Sequence, residues 1–179
     1  MGYTTDFEGS FSITPPLQGI HRAYLAAFAG TRRMQRDSAK TVNRDDRARH
    51  AVGLGVGLQG GYFVGEEGFM GQGVDRMSTI PDVVDQNQAP SGQPSLWCHW
   101  APSLDGSALA WDGSEKFSNY VEWLNYLIQH FLKPWGYALS GTVEWQGEDH
   151  CDKGRIVVNN NTVKAQRARV TSYEDGDDA

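Results

Sequence analysis

The fold is decided by the stretch TDFEGSFSI, residues 5–13, in which apolar and polar side chains alternate. Phe7, Phe11 and Ile13 fall on one face of this stretch, and charged or hydroxyl side chains fall on the other. A period of two predicts a β-strand that buries one face and exposes the other to solvent.

A helix is predicted directly after the strand. Thr14 offers an N-cap, and Pro15 suits the first helical position because its missing N–H would have no partner there. Apolar side chains follow at helical spacing over residues 17–28, and Gly30 is a plausible end.

The strand period of two residues and the helical period of 3.6 residues both recur in the second half of the chain. A helix is predicted over residues 115–135, with Asp112 and Glu115 spaced as a capping box before it. Its apolar stripe consists of Phe117, Tyr120, Val121, Leu124, Leu127, Ile128 and Phe131. Alternation predicts further strands at residues 95–100, 108–111, 137–146, 154–158 and 162–168.

This order of elements predicts an α+β protein with a mostly antiparallel sheet, two helices on one face and a ferredoxin-like split β-α-β core. Residues 1–169 form the single domain, and residues 31–94 form a long glycine-rich insertion with a short strand at 62–64. Residues 170–179 form an acidic tail that is expected to be disordered.

Composition narrows the class of protein. The 179 residues suffice for one domain, and no apolar run approaches the roughly 20 residues of a membrane span. The net charge is −6, so the chain lacks the basic footprint of a general nucleic-acid binder. Two cysteines and no signal peptide indicate a cytoplasmic protein, and whether Cys98 pairs with Cys151 stays open.

Two patterns match the letters of cofactor or metal motifs, but the residues around them do not allow the structure that such motifs need. Residues 55–60 match G-x-G-x-x-G, but more glycines follow, so no helix can begin there to hold a phosphate. Cys98 and His99 are neighbours on a predicted strand and point to opposite faces, which argues against a zinc site with His150 and Cys151. No cofactor and no metal site is therefore predicted.

A basic stretch, residues 32–49, leaves nucleic-acid binding as a remote alternative. It carries seven arginines and lysines against three aspartates, but no aromatic side chains for stacking on bases. A solvated, mobile segment is the expectation for it.

Four carboxylates cluster near the end of the domain: Glu144, Glu148, Asp149 and Asp152. Such a group could perform acid–base chemistry or hold a hard cation, or it could be an ordinary charged turn. Sequence assigns no catalytic residue here or elsewhere. The question of an enzyme stays open, and the missing signatures favour a non-enzymatic protein.

The predicted second helix has a second aromatic face. At 100° per residue, Asn119, Trp123, Tyr126 and His130 lie together, away from the apolar stripe. Either the insertion folds over this face, or the face binds a partner through its aromatic anchors. The second interpretation predicts these four residues as a partner-binding surface.

Several runs carry a likeness to known proteins: Met1–Phe7, Gly92–Cys98, Tyr120–Leu124, Phe131–Tyr137 and Val143–Asp149. Through them the chain resembles a family of uncharacterised small proteins of bacteria and their phages. The resemblance implies no activity, cofactor or catalytic residue. It implies the context of mobile accessory genes, whose small products act by binding host or defence proteins.

Two functions follow as hypotheses. The first is a non-enzymatic accessory binding protein, phage-encoded or bacterial, that acts on a host or defence protein through the aromatic face and could also self-associate. The alternative is a domain that binds a small ligand or nucleotide, or hydrolyses it, with the glycine-rich insertion as a lid.

Overall fold

The computed structural model describes residues 2–65 and 80–169. Its strands are β1 (Thr5–Thr14), β2 (Gln35–Arg36), β3 (Val83–Asp85), β4 (Trp100–Pro102), β5 (Ala108–Trp111), β6 (Ala138–Gly147), β7 (Lys153–Asn159) and β8 (Thr162–Arg167). Its helices are α1 (Gly19–Ala29), α2 (Ser38–Thr41), α3 (Arg47–Ala51) and α4 (Tyr120–Leu127). A π-helical turn, Ile128–Leu132, extends α4, and a 3-10 turn spans Leu58–Gly60.

Six strands form one sheet in the order β4-β5-β1-β6-β7-β8, and every neighbouring pair is antiparallel. The centre is the pairing of β1 with β6, which runs from Thr5 opposite Gly147 to Thr14 opposite Ala138. β2 and β3 form a separate two-stranded sheet. The predicted α+β class with a mostly antiparallel sheet is confirmed.

The sheet has one buried side and one solvent-exposed side. Phe11 and Val143 are buried, whereas Ser10 and Thr142 on the adjacent positions are exposed. Both central strands therefore follow the alternation that their sequences show, because successive side chains of a strand point to opposite faces.

Two helices pack on the apolar side of the sheet within one core cluster. Phe28 of α1 meets Trp123 of α4 and Phe131 of the π-helical turn, with ring centroids 5.9 Å and 5.2 Å away. Phe11 of β1 meets Trp100 of β4 at 5.5 Å. Edge-to-face contacts of this kind add to the free energy gained by burying the rings.

The described part of the insertion is folded, and three of its arginines, Arg33, Arg36 and Arg49, are buried. Arg36 Nη1 lies 2.7 Å from Asp82 Oδ2, and Arg49 Nε lies 3.0 Å from Asp46 Oδ2. Arg33 is also buried, and its guanidinium lies 4.2 Å from the centre of the Phe28 ring. The expectation of a solvated, mobile basic segment is wrong, because these charges hold the insertion together instead of facing solvent.

Arg33 is the least compensated of these charges. Its Nη2 donates to the carbonyl oxygen of Phe63, while Nε and Nη1 have no hydrogen-bond partner among the described residues. Burial lowers the pKa of Arg33 to about 10. Desolvation of an unpaired charge disfavours the charged form, so this side chain is a local cost in the insertion.

Several predicted boundaries shift. The first helix begins at Gly19 instead of Pro15, because Leu17 N donates to Gly106 O and ties the preceding segment to the β4–β5 turn. The second begins at Tyr120, so the capping box at Asp112 is wrong. Residues 95–99 of the predicted strand are not strand, and β4 begins at Trp100.

The insertion also differs from its prediction. No strand forms at residues 62–64, where Tyr62 N instead closes a turn onto Val56 O. The part of the insertion at residues 66–79 and the acidic tail at 170–179 lie outside the described residues.

Replacing Trp123 with alanine should lower the free energy of unfolding by about 3–5 kcal/mol, because the indole is fully buried and its removal leaves a cavity. Urea denaturation followed by circular dichroism measures this loss. Leu104 is 92% exposed, and its replacement with alanine is the control that should change stability by less than about 0.5 kcal/mol. Equal effects of both changes would contradict the core placement of Trp123.

Replacing Asp82 with asparagine should cost about 3–5 kcal/mol, because the buried Arg36 guanidinium loses the carboxylate that it pairs with in the described residues. The matched control is Asp45→Asn, whose partner Arg47 has a side chain that is 93% exposed. An exposed pair contributes less than about 1 kcal/mol. Comparable denaturation midpoints for the two variants would show that the insertion does not depend on the buried pair.

Candidate interaction site

The aromatic face predicted on α4 is covered by the chain itself. Trp123 is 0% exposed, and its Nε1 donates to Ser95 Oγ at 2.7 Å. Tyr126 is also buried, and its hydroxyl accepts a hydrogen bond from Gln93 Nε2 at 2.9 Å. Burial raises the pKa of Tyr126 to about 12. The prediction that these two residues form an open partner surface is wrong, because the end of the insertion packs over them.

The other two residues of that face lie at its exposed rim. Asn119 Nδ2 donates to Pro94 O at 2.7 Å. His130 stacks on Tyr126 with ring centroids 4.1 Å apart, and its Nδ1 lies 2.9 Å from the Tyr62 hydroxyl. Partial burial lowers the pKa of His130. Both residues fasten the insertion to α4.

Three of the four predicted carboxylates form a structural turn between β6 and β7. Glu148 Oε1 accepts from the backbone N–H of Thr4 at 2.7 Å, and Asp152 Oδ2 accepts from the Tyr3 hydroxyl at 2.8 Å. Asp149 Oδ1 accepts from the backbone N–H of a residue in the same turn at 2.8 Å. These contacts anchor the N-terminal segment, so the cluster does not converge as one acidic site. Glu144 stands apart on β6.

The two cysteines that were considered for a zinc site differ in solvent exposure. Cys98 is buried and Cys151 is exposed, and both are free thiols. Burial raises the pKa of the Cys98 thiol to about 12, which leaves it protonated and unreactive at neutral pH. In the described part of the chain, no group of three or more His, Cys, Asp or Glu side chains is placed to hold a metal ion.

A histidine–aspartate pair, which sequence reasoning missed, joins the ends of β4 and β5. His99 Nδ1 lies 3.1 Å from Asp112 Oδ2, and Asp112 N donates to His99 O at 3.0 Å. Burial acts to raise the pKa of Asp112, but hydrogen bonds from His99 and Ser114 outweigh it and lower that pKa. The pair therefore extends the open end of the hairpin, and Asp112 also closes the turn that follows β5 by accepting from Ser114 N.

A groove of about 830 Å³ lies across β1, β6, β7 and the end of β8. Most of its polar side chains belong to the solvent-exposed side of the sheet. Its lining consists of Asp6, Phe7, Glu8, Glu144, Trp145, Gln146, Lys153, Gly154, Arg155, Gln166, Arg167 and Ala168. Because these residues sit on paired strands, the groove has a rigid floor.

Charges of opposite sign occupy opposite halves of this groove. The carboxylates of Asp6, Glu8 and Glu144 stand on β1 and β6, and the cations stand on β7 and β8. The cations are Lys153 and Arg155 on the open side of the sheet and Arg167, which is in register with Gly154 and therefore faces the helix side. Within the described residues, none of these six exposed side chains makes an ion pair.

Two of the carboxylates oppose each other directly. Glu8 pairs in register with Glu144, and like charges at such positions repel. Arg155 stands opposite Glu144 on the other side, but its Nε donates to Gln166 Oε1 at 2.7 Å. The groove thus presents two carboxylates in register on β1 and β6 beside a cation on β7, an arrangement suited to a ligand that carries both signs.

Sequence reasoning singled out Glu144 in this groove and missed its neighbours. Asp6 and Glu8 were read as the solvent-facing side of a strand, and Arg155 lay on a strand with no assigned neighbour. The alternation showed that these side chains face solvent. Only the pairing of β1 with β6 and of β6 with β7 brings them together.

The chain matches no family model, no curated protein and no solved structure. None of the helices in the described ranges combines the length and apolar character that a transmembrane segment requires.

Replacing Glu8 with glutamine should raise the free energy of unfolding by about 0.2–1 kcal/mol, because it removes the repulsion from Glu144. Denaturation in low salt measures the gain, which should shrink at 1 M salt, where the Debye length is about 3 Å. Asp6→Asn on the same strand is the control, because Asp6 stands opposite the neutral Gln146. A stability gain as large in the control would show that the paired carboxylates do not repel.

Proposed function

We propose that this chain is a non-enzymatic binding protein that captures a segment of a partner protein in the groove on the open side of its sheet. One observation carries the proposal: six charged side chains of both signs line the groove, and in the described structure none of them makes an ion pair. Protein surfaces that recognise a partner electrostatically present such charges to a complementary surface.

The arrangement defines the chemistry of the partner segment. A lysine or arginine of the partner fits between Glu8 and Glu144, which stand opposite each other on adjacent strands. A carboxylate of the partner fits beside Arg155, one strand further along the sheet. Neighbouring strands lie about 5 Å apart, so the partner's two charges stand roughly 5–10 Å apart. Side chains two residues apart on an extended segment meet this spacing.

Three further expectations enter as parts of this proposal. The strand order β4-β5-β1-β6, with α1 and α4 in the connections, supports a ferredoxin-like split β-α-β core. Two free cysteines support a cytoplasmic location. The resemblance to small bacterial and phage proteins supports a host or defence protein as the partner.

A small ligand with both an amine and an acidic group is the second candidate. The groove volume of about 830 Å³ falls within the range of ligand pockets, roughly 300–1,000 Å³. Residues 53–65 of the glycine-rich segment do not line the groove, so this candidate does not use them as a lid. Calorimetric titration with amino acids and phosphorylated metabolites distinguishes it from the protein-binding proposal, because only a small-ligand site gives saturable heat.

The double variant Glu8→Lys/Glu144→Lys should lose its protein partner, because the cation of the partner then meets two cations. The measurement is quantitative mass spectrometry of proteins retained from a bacterial lysate by the tagged wild type and by the variant. Recovery of the partner should fall at least about tenfold, which corresponds to 1.4 kcal/mol. Titration of the purified partner then gives the affinity directly.

The matched control is Glu115→Lys/Glu122→Lys, which makes the same change of charge at exposed positions outside the groove. It should retain the partner. Circular dichroism checks that both variants are folded. If the groove variant retains the same proteins as the wild type, the groove is not the binding site.

A further inference from the structure

A pocket of about 520 Å³ lies between the end of the insertion and the turn that precedes α4. Its lining comes from residues 87–89 and 93–97, and from Lys116 and Ser118. It shares no lining residue with the groove on the sheet. Its volume falls within the range of ligand pockets, roughly 300–1,000 Å³, so it can hold a small molecule of its own.

The pocket contains a buried hydrogen-bond acceptor that lacks a donor. Gln93 is 9% exposed, and its Nε2 donates to Gly61 O at 2.6 Å and to the Tyr126 hydroxyl at 2.9 Å. A carbonyl oxygen can only accept, so the bond to Gly61 fixes which end of the amide is nitrogen. Gln93 Oε1 has no hydrogen-bond partner among the described residues. Since Gly61 and Tyr126 do not line the pocket, the amide oxygen is the end that remains for a donor there.

An aromatic side chain and several neutral polar groups complete the lining. Trp97 is half-buried, and its ring is inclined by 10° to the ring of His99, with centroids 6.0 Å apart. An indole suits the stacking of a planar ring, because offset π-systems attract each other. The exposed amides of Asn87 and Gln88 and the exposed hydroxyl of Ser118 can bond to hydroxyl groups of a ligand.

Lys116 alone carries a formal charge among the described residues that line the pocket. Its side chain is exposed and makes no ion pair within the described part of the chain. Asn119 Nδ2 donates to Pro94 O at 2.7 Å, which ties the turn that carries Lys116 to the other wall of the pocket. A lysine ammonium group is a common ligand of phosphate, so this side of the pocket suits an anionic group.

We propose that this pocket binds a nucleotide whose base carries an exocyclic amine, such as adenosine or cytidine monophosphate. The amine donates to Gln93 Oε1, the base stacks on Trp97, and the phosphate lies beside Lys116. A side-chain oxygen that accepts from an exocyclic amine distinguishes adenine and cytosine from bases that present a carbonyl at that position. The bound nucleotide bridges the insertion and the turn before α4, so it stabilises the folded chain by mass action.

Calorimetric titration of the full chain with adenosine monophosphate tests the contact of the amine. The matched ligand is purine riboside monophosphate, which has a hydrogen atom in place of the amine. Adenosine monophosphate should bind saturably and at least about tenfold more tightly, because without the amine Gln93 Oε1 again lacks a donor. Equal affinities of the two ligands would overturn the proposal, and so would the absence of saturable binding by both adenosine and cytidine monophosphate.

Lys116→Met tests the contact of the phosphate, because it removes the charge and keeps the length of the side chain. The affinity for adenosine monophosphate should fall about tenfold, whereas the affinity for adenosine should not change. Lys133→Met, at an exposed position outside the pocket, is the control and should change neither affinity. An equal loss of affinity for adenosine and its monophosphate in Lys116→Met would overturn the proposal.

The groove variant Glu8→Lys/Glu144→Lys separates this proposal from the proposed function. It leaves the residues of the pocket unchanged, so it should bind adenosine monophosphate at least as tightly as the wild type. Loss of nucleotide binding in that variant would overturn the proposal, because it would place the nucleotide in the groove. None of these titrations uses a partner protein, so their failure is distinguishable from failure of the proposed function.

Discussion

The antiparallel pairing of β1 with β6 is the constraint on which the rest of the structure depends. Its register, from Thr5 opposite Gly147 to Thr14 opposite Ala138, assigns each side chain of both strands to one side of the sheet. A slip by one residue would expose Phe11 and bury Ser10, so the apolar pattern allows only this phase. The same register places Glu8 directly opposite Glu144, and it therefore sets the buried core and the charged groove together.

The two sides of the sheet differ in what they contact: one packs against helices, and the other faces solvent. On the apolar side, α1 and α4 bury a network of aromatic rings, and the insertion seals the far side of α4 through Gln93 and Ser95. The insertion in turn depends on arginines that are buried beside aspartates, as in the pair of Arg36 and Asp82. Such a pair costs desolvation of both ions and is costly to break from one side, which makes the insertion an integral layer of the domain.

The polar side keeps charges that do not stabilise the fold. Glu8 and Glu144 repel, and Arg155 bonds to the neutral Gln166 in place of the adjacent Glu144. A surface selected only for stability would pair these charges. Local electrostatic cost at a concave surface is typical of a site that meets its complement in another molecule or segment, because stability and function compete at such sites.

Sequence by itself determined the local structure wherever one period dominates. The alternation over residues 5–13 and the strand at 108–111 both occur as predicted. Tertiary structure decided what local patterns cannot express. Asp112 had the spacing of a helix cap, yet it bonds to His99 across the hairpin.

The sequence could not predict the surroundings of the aromatic face of α4 or of the groove, and the reason is the same for both. Helical spacing placed Trp123 away from the apolar stripe, but it could not show that Ser95 and its neighbours close over that face. Alternation placed Glu8 and Glu144 on the solvent side of their strands, but their meeting required two segments more than 130 residues apart to pair in one register. Periodicity reports which way a side chain points, and only long-range pairing decides what it faces.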